Sequence, residues 1–331
     1  MFFGELKTES SLNSILTSSI FVIDANNQKV KISKGTTITD KHIEVFLKNN
    51  IDSIVCAKLE RDDIEENKAV HEISKKIIFK SKSNLMIDKP KQGRCNLISS
   101  VNGVIKFNPK QLLSINSVTD KIAVASLKNL SFVKKNQVVI SIKAIPFAIN
   151  KIILNSVIEK SSNCFQILPF KNKVIHLIQT INESLPKKVL EKTILVTRNR
   201  LKNCNIDSFY EKKCEHSITE LSRKIKESID ENADIILVFG ASAITDINDV
   251  IPKSLVKNGG TIQRLGMPVE PGNLMLLGKL KKNNKNIPLV GMPGCARSPK
   301  ENGVDWILWR LFCDLGISKK EINDMGNGGL L

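Results

Sequence analysis

The sequence predicts an α/β protein of three regions, because strand-like and helix-like patterns fall differently along its 331 residues. From about residue 170, short apolar runs alternate with amphipathic stretches, which is the pattern of a mostly parallel, doubly wound sheet. Residues 81–165 carry a succession of short strand patterns and predict a β-rich middle region. Residues 1–80 mix both patterns and predict a small mixed α/β unit. We therefore expect domains over 1–80, 81–165 and 170–331.

The N-terminal elements follow from turn and cap signals. Between 21 and 40, Val and Ile runs are broken by an Asn-Asn pair, which predicts two strands joined by a turn. Thr39 is a suitable N-cap for an amphipathic helix through Ile43, Phe46 and Leu47. The segment IDSIVCAKL predicts a strand. A second helix is predicted over 62–79, with acids in its first turn and lysines in its last.

The middle region carries three strand patterns, NLISSVNGVIKFN, KIAVASL and QVVISIKAIPFAI. Gly103 after Asn102 predicts a tight hairpin within the first of them. Pro109 ends that strand at Asn108. The polar stretch NSVIEKSSNC, at 155–164, is the predicted boundary before the last domain.

The C-terminal elements alternate in type. Buried strands are predicted in KVIHLIQT, ADIILVF and IPLVGMP. Helices are predicted in SLPKKVLEKTILVTRNRL, ITELSRKIKESIDEN, DVIPKSLVKNGG and GVDWILWRLFCDLG. Pro186 stands near the first turn of the first helix, and Gly259 and Gly260 end the third. Ligands bind such sheets at the carboxyl ends of their strands.

The composition predicts a cytoplasmic globular protein. Hydrophobic residues make up 41% and charged residues 25%, and no apolar run is long enough to span a membrane. The opening MFFGELKTESS has Glu5 and Lys7 directly after two phenylalanines, so it lacks the order of a signal peptide. The 7 cysteines show no metal-ligand or disulfide spacing.

The net charge of +17 raises the question of a nucleic-acid partner. Lysine is interleaved with Asn, Ile and Ser along the whole chain instead of forming a cluster, which is typical of a compositional bias. One Tyr and two Trp offer few surfaces on which bases could stack. We therefore expect no nucleic acid and no membrane as partners.

Three glycine-rich and proline-rich loops of the last region are the candidate site. In GASAITDIND, at 240–249, Gly240 allows close backbone approach to a ligand, and the hydroxyls of Ser242 and Thr245 can bind an anion. Asp246 and Asp249 supply carboxylates. A cap of the following helix is the alternative role of Asp249, and the residues leave both open.

The second and third loops differ in their chemistry. LGMPVEPGNL, at 265–274, predicts a rigid irregular backbone, or simply a connector. GMPGCARSPKENG, at 291–303, leaves a Val-rich strand and offers Gly294, Arg297, Ser298 and Lys300 before a helix. Arginine engages phosphate through two parallel hydrogen bonds, so this loop predicts a phosphate site.

These loops resemble a known family. FGASAITDINDVIPKSL, GMPVEPGNLMLLG and GMPGCARSPKENGVDWIL are similar to segments of the molybdopterin-binding proteins of molybdenum cofactor biosynthesis. KGTTIT, IDSIVCAKLE, NGVIKFN, IKAIPFAI and MGNGGLL extend the resemblance over nearly the whole chain, toward the bacterial branch often fused to a molybdenum cofactor nucleotidyltransferase.

The resemblance implies a three-layer α/β/α molybdopterin-binding domain, related to molybdopterin adenylyltransferases and molybdotransferases. It implies molybdopterin or its nucleotide as the ligand, with Mg²⁺ and molybdate as further ligands. Asp249 and Asp246 would be catalytic, and Asp249 would hold the metal ion. The residues implied to contact the cofactor are Gly240, Ala241, Ser242, Thr245, Pro271, Gly272, Asn273, Pro293, Gly294, Cys295, Arg297 and Ser298.

Two departures from the family pattern leave the reaction open. Molybdotransferases carry P-G-K-P where this chain has Pro271, Gly272, Asn273 and Leu274, so a lysine expected beside molybdate is absent. The usual P-G-N-P is Pro293, Gly294, Cys295 and Ala296, which leaves open whether Cys295 contacts the ligand or only packs.

Three functions are compatible with these residues. The first is a molybdotransferase-like enzyme of late cofactor assembly. The second is a non-catalytic carrier that serves a separate nucleotidyltransferase and molybdoenzyme apoproteins, since no nucleotidyl signature occurs in the chain. The third is action on another phosphorylated ligand of nicotinamide type. The resemblance also implies a homo-oligomer.

Overall fold

The computed structural model describes residues 1–24, 26–78, 83–283 and 285–331. It divides into two compact units. Unit 1 comprises Met1–Val101, Ile105–Asn129 and Val133–Ile167, and unit 2 comprises Asn102–Val104, Leu130–Phe132 and Leu168–Leu331. Residues from both 1–80 and 81–165 thus fall in unit 1, and the division of the chain into three domains stays a prediction.

The elements up to residue 169 are short. The strands are β1 (Phe2–Lys7), β2 (Ile15–Leu16), β3 (Ile20–Ile23), β4 (Lys29–Ile32), β5 (Ser53–Lys58), β6 (Asp63–Glu65), β7 (Leu85–Ile87), β8 (Arg94–Ser99), β9 (Gly103–Phe107), β10 (Ile122–Ser126), β11 (Phe132–Val133), β12 (Val138–Ala144), β13 (Ala148–Asn150) and β14 (Phe165–Pro169). The helices are α1 (Asp40–Lys48), α2 (Glu66–Ile77), α3 (Pro109–Asn116) and α4 (Lys151–Lys160), with a 3-10 turn at Thr8–Ser10.

Several N-terminal predictions are confirmed. Strands β3 and β4 pair as an antiparallel hairpin across the Asn-Asn turn. Helix α1 begins after Thr39, whose side chain takes part in a capping box with His42. Its predicted core residue Phe46 is fully buried. Strand β5 occupies the predicted segment and pairs with β1 and β2.

The start predicted for the second helix is wrong. Residues 63–65 form β6, which pairs antiparallel with β13, so that Ile64 lies opposite Ile149. The backbone pairing of this strand outweighs the helix-favouring acids of the segment. Helix α2 begins only at Glu66, after Glu65 accepts a hydrogen bond from the backbone N–H of Lys68. Phe79, the predicted last residue, lies outside the described residues.

The predicted hairpin at Asn102 and Gly103 is also wrong. Strand β8 pairs with β7 and β12, whereas β9 belongs to a separate three-stranded sheet with β11 and β14. The strands on the two sides of Gly103 therefore satisfy their hydrogen bonds with partners distant in sequence. The end of the strand before Pro109 is confirmed, and Asn108 caps α3 with Pro109 in its first turn.

Unit 2 contains a six-stranded sheet in the order β16-β15-β17-β20-β19-β18. Its strands are β15 (Ile175–Ile181), β16 (Phe209–Glu215), β17 (Ile235–Phe239), β18 (Thr261–Leu265), β19 (Leu276–Lys282) and β20 (Lys285–Met292). Its helices are α5 (Lys187–Asn203), α6 (Ile218–Asp230), α7 (Val250–Lys257), α8 (Gly303–Phe312) and α9 (Lys319–Asp324), with a 3-10 turn at Gly294–Arg297. The first four strands in this order are parallel, and β19 runs antiparallel to both of its neighbours, β20 and β18. The predicted α/β class is confirmed.

Alternate residues of the central strands belong to different cores. Ile235, Leu237 and Phe239 share one cluster with residues of α5 and α8, among them Leu201, Ile307 and Phe312. Ile236 and Val238 share another with residues of α6 and α7, among them Leu221, Ile225 and Leu255. Because successive strand side chains point to opposite faces, both faces of this sheet are buried.

Burial of His176 predicts a pH-dependent stability. This side chain in β15 is 1% exposed, and its Nδ1 lies 3.8 Å from Glu231. Burial lowers the pKa of His176, Glu231 opposes that change, and Lys212 adds to it. In the unfolded chain the pKa of a histidine is about 6.5. Because the pKa of His176 is lower in the folded protein, the unfolded state binds more protons as the pH falls through this value. We expect the free energy of unfolding to fall as the pH drops from 7 to 5, and to fall less in His176→Gln. Equal pH slopes in urea titrations of the two proteins would contradict this.

Across the described ranges, no helix is long and apolar enough to cross a membrane. Nor do those ranges contain a group of three or more His, Cys, Asp or Glu residues arranged to hold a metal ion.

Candidate functional site

The order of the parallel strands places the topological switch point, where ligands bind sheets of this kind, between β15 and β17. The chain runs from β15 outward to β16 and then returns past β15 to β17 and β20. The connections on the two sides of β15 therefore diverge, and the switch point lies at the carboxyl ends of β15 and β17. The first predicted loop begins here, because Gly240 directly follows β17. A Cβ at Gly240 would lie 2.5 Å from the carbonyl oxygen of Ser242, so the tight turn requires glycine.

The carboxylates of the first loop are engaged locally. Asp246 Oδ1 accepts a hydrogen bond of 2.7 Å from the N–H of Asn248, and this bond lowers the pKa of Asp246. Asp249 Oδ1 accepts one of 2.7 Å from the N–H of Val250 and caps α7. Ser242 and Thr245 are exposed. The capping role of Asp249 is thus present, and its catalytic and metal-binding roles stay predictions.

Arg297 joins the first loop to the third. Its Nε donates to Thr193 Oγ1 at 3.1 Å, and one terminal nitrogen donates to the carbonyl of Gly240 at 3.0 Å. The guanidinium lies 4.8 Å from the centre of the Phe239 ring. Burial lowers the pKa of Arg297. Burial is the only influence on this pKa, and no carboxylate in the described part of the chain forms an ion pair with Arg297. A partly buried cation without an acidic partner is a natural anion site.

Arg200 fixes the third loop from α5. Its Nε contacts Asp305 Oδ1 at 2.8 Å, and its terminal nitrogens donate to the carbonyls of Ala296, Ser298 and Lys300 at 2.6, 2.7 and 3.0 Å. Asp305 is 6% exposed and also accepts from the N–H of Asn302. Burial raises the pKa of Asp305, and Arg200 opposes this rise. One arginine therefore neutralises a buried acid and holds the backbone that carries Arg297.

The second loop meets the third at the start of α8. The N–H of Gly303 donates to the carbonyl of Pro271 at 2.8 Å. Asn302 caps α8, and its Nδ2 lies 3.1 Å from Cys295 Sγ. Cys295 is exposed, as are Asn273 and Gly294, whereas Gly272 and Pro293 are buried. The structure thus places the second loop beside Cys295 and the first loop beside Arg297, and their contacts with a ligand stay predictions.

The sequence matches no protein-family model and no curated protein. Among solved structures, the chain is similar to a tungsten cofactor synthesizing protein, MoaB, from Pyrococcus furiosus, with 12% identity and a TM-score of 0.28 over 44% of this chain and 89% of that chain. It is also similar to a protein from Corynebacterium diphtheriae assigned to molybdenum cofactor biosynthesis, with 9% identity and a TM-score of 0.28 over 48% of this chain and 99% of that chain. At these values neither similarity assigns a function.

Two further residues at these strand ends were not predicted from the sequence. Thr180 is the second-last residue of β15. Its Oγ1 lies 2.7 Å from His216 Nδ1 and accepts a hydrogen bond of 2.9 Å from the N–H of Ala241. His216 follows β16, and its Nε2 lies 3.1 Å from Ser242 Oγ. A polar residue ending the apolar run KVIHLIQT was the available signal for Thr180. Nothing in the sequence indicated His216, because β16 itself was not predicted.

Proposed function

We propose that unit 2 binds molybdopterin or its nucleotide and that the protein acts in late molybdenum cofactor assembly. The proposal joins the sequence resemblance of the three loops to their geometry. The observation that carries it is Arg297, a partly buried guanidinium without a carboxylate partner in the described chain, at the edge of the sheet where ligands bind. The terminal phosphate of the cofactor is the group we assign to it.

Backbone donors supplement this charge. Within the described ranges, the N–H groups of Ser242, Ala243, Ile244 and Thr245 donate no hydrogen bond to the backbone. Consecutive free N–H groups in a loop can form a concave anion site. An anion here would engage N–H groups that have no backbone acceptor in the described part of the chain.

A divalent ion is compatible with the same loop. Asp249 uses Oδ1 to cap α7, which leaves Oδ2 as the oxygen that would hold a Mg²⁺ ion. Mg²⁺ would supply charge neutralisation of the cofactor phosphate. Asn273 occupies the place of the expected lysine, so molybdate has no basic residue at that position. The two core clusters flanking the sheet support the three-layer α/β/α arrangement that this function presumes.

Binding measurements test the proposal. We expect anaerobically prepared molybdopterin to bind in isothermal titration, and Arg297→Gln to weaken binding by about 10- to 100-fold, the range for loss of a charge-assisted contact. Arg198→Gln is the matched control, because Arg198 is an exposed arginine of α5 that stacks on Phe209. Asp249→Ala is expected to weaken binding only when Mg²⁺ is present.

Each outcome has a defined meaning. If folded wild-type protein does not bind molybdopterin, the proposal fails. Equal losses in Arg297→Gln and Arg198→Gln would show a general charge effect and remove Arg297 from the site. If binding is found, release of AMP from ATP or insertion of molybdate distinguishes an enzyme from a carrier of the cofactor.

A further inference from the structure

Three hydroxyl and imidazole groups lie in hydrogen-bond contact at the carboxyl ends of β15, β16 and β17. Ser242 Oγ lies 3.1 Å from His216 Nε2, and His216 Nδ1 lies 2.7 Å from Thr180 Oγ1. Ser242 is exposed, His216 is half-buried and Thr180 is fully buried. The three groups thus lead from solvent into the sheet, with the Ser242 hydroxyl at the exposed end.

The backbone fixes the two inner groups, His216 and Thr180. Thr180 lies opposite Cys214 in the parallel ladder of β15 and β16. The N–H of His216 donates to the carbonyl of Ile181 at 2.9 Å, which fastens the residue to the end of β15. The imidazole is therefore held by a hydrogen bond on its own backbone and by another on its ring.

One assignment of the hydrogen-bond donors and acceptors gives a reactive arrangement. Thr180 Oγ1 accepts from the N–H of Ala241, and its own proton has the carbonyl of Phe239 as an acceptor at 3.5 Å. The distances fit both imidazole tautomers, and we assign the one with the proton on Nδ1, in which Thr180 Oγ1 accepts from His216 Nδ1–H and the lone pair of Nε2 faces Ser242 Oγ. A serine hydroxyl that donates to an imidazole, itself oriented by a third group, is the arrangement of an activated nucleophile.

We propose that Ser242 is a nucleophile toward phosphate esters, with His216 as its general base and Thr180 as a positioning residue. Ser242 Oγ attacks phosphorus, the Oγ–P bond forms as the bond to the leaving alkoxide breaks, and the serine proton moves to His216 Nε2. His216 then passes that proton to the leaving oxygen. Water attacks the phosphoserine with His216 again accepting a proton, and the P–Oγ bond breaks as Ser242 regains its proton. The backbone N–H groups of 242–245, which have no backbone acceptor among the described residues, are the donors we assign to the charged phosphoryl oxygens.

This inference is tested without the pterin, with a biotinylated fluorophosphonate. Ser242 Oγ attacks the phosphorus of the probe, fluoride leaves, and the serine proton passes to His216 Nε2. We expect an adduct on Ser242 by peptide mass mapping and none in Ser242→Ala. His216→Gln should label at least about 100-fold more slowly, as loss of a general base predicts, and Thr180→Val about tenfold more slowly. Hydrolysis of bis(p-nitrophenyl) phosphate should change in the same order.

Ser184→Ala is the matched control. Ser184 lies in the loop after β15 and bonds to Asn182, so its loss should leave labelling unchanged. Urea unfolding establishes that each variant is folded. The proposal is overturned if folded wild-type protein is not labelled at Ser242, or if His216→Gln is labelled as fast as wild type. Because the pterin takes no part, failure here leaves the molybdopterin titration as an independent result.

Discussion

Arg200→Ala is expected to lower the free energy of unfolding by about 3–5 kcal/mol, the range for removing one partner of a buried ion pair. The change leaves Asp305, at 6% exposure, without its cation. It also frees the carbonyls of Ala296 and Ser298 from their donor. Urea denaturation of the variant measures the loss, and amide hydrogen exchange should show faster opening of residues 296–300.

Two comparisons separate this effect from a loss of surface charge. Arg223→Ala removes an exposed arginine that pairs with Glu220 and Glu227 on α6, and we expect a much smaller loss than in Arg200→Ala because solvent screens these pairs. Arg200→Met combined with Asp305→Leu removes both charges and should be more stable than Arg200→Ala, because no unpaired carboxylate remains. A loss in Arg200→Ala no larger than that in Arg223→Ala would show that the pair contributes little.

The long-range pairing of Arg200 with Asp305 illustrates what the sequence could not predict. The two residues are 105 positions apart, and although Asp305 belongs to the capping box of α8 with Asn302, no local pattern links it to Arg200. The buried strands β15, β17 and β20 were predictable, because a strand covered on both faces is a continuous apolar run. Helices α5 to α8 were predictable from their amphipathic repeat and caps.

Three strands of this sheet were not predicted; β16 and β18 lack that signal, whereas β19 carries buried leucines that the sequence analysis did not assign to a strand. β16 reads FYEKKCE and lies at the edge of the sheet, where charged side chains face solvent. β18 reads TIQRL and is mostly half-buried, so it carries no continuous apolar run. The three loops were named from the sequence as a candidate site, but the hydrogen bond from Arg297 to the carbonyl of Gly240 was not predicted. His216 could not be placed beside Ser242 without the position of β16.

Gly272→Ala is expected to lower the free energy of unfolding by about 3–4 kcal/mol, combining backbone strain with overpacking. Gly272 has a φ of +135°, a region that side-chain-bearing residues rarely occupy. A Cβ there would lie 2.7 Å from the backbone nitrogen of Gly303 and 2.8 Å from Asn302 Oδ1. Those atoms form the first turn of α8, so the second loop would have to move away from it.

Two other glycines calibrate this loss. Gly259 has a φ of +72° and open space around its Cβ position, so Gly259→Ala should show the backbone strain alone, about 1–2 kcal/mol. Gly316 has open space without a positive φ, and Gly316→Ala should lie within about 0.5 kcal/mol of wild type. Urea denaturation of the three variants should rank them in this order. If Gly272→Ala loses no more than Gly259→Ala, the second loop yields at little cost and does not hold the start of α8, and Cys295 with it, in a fixed place.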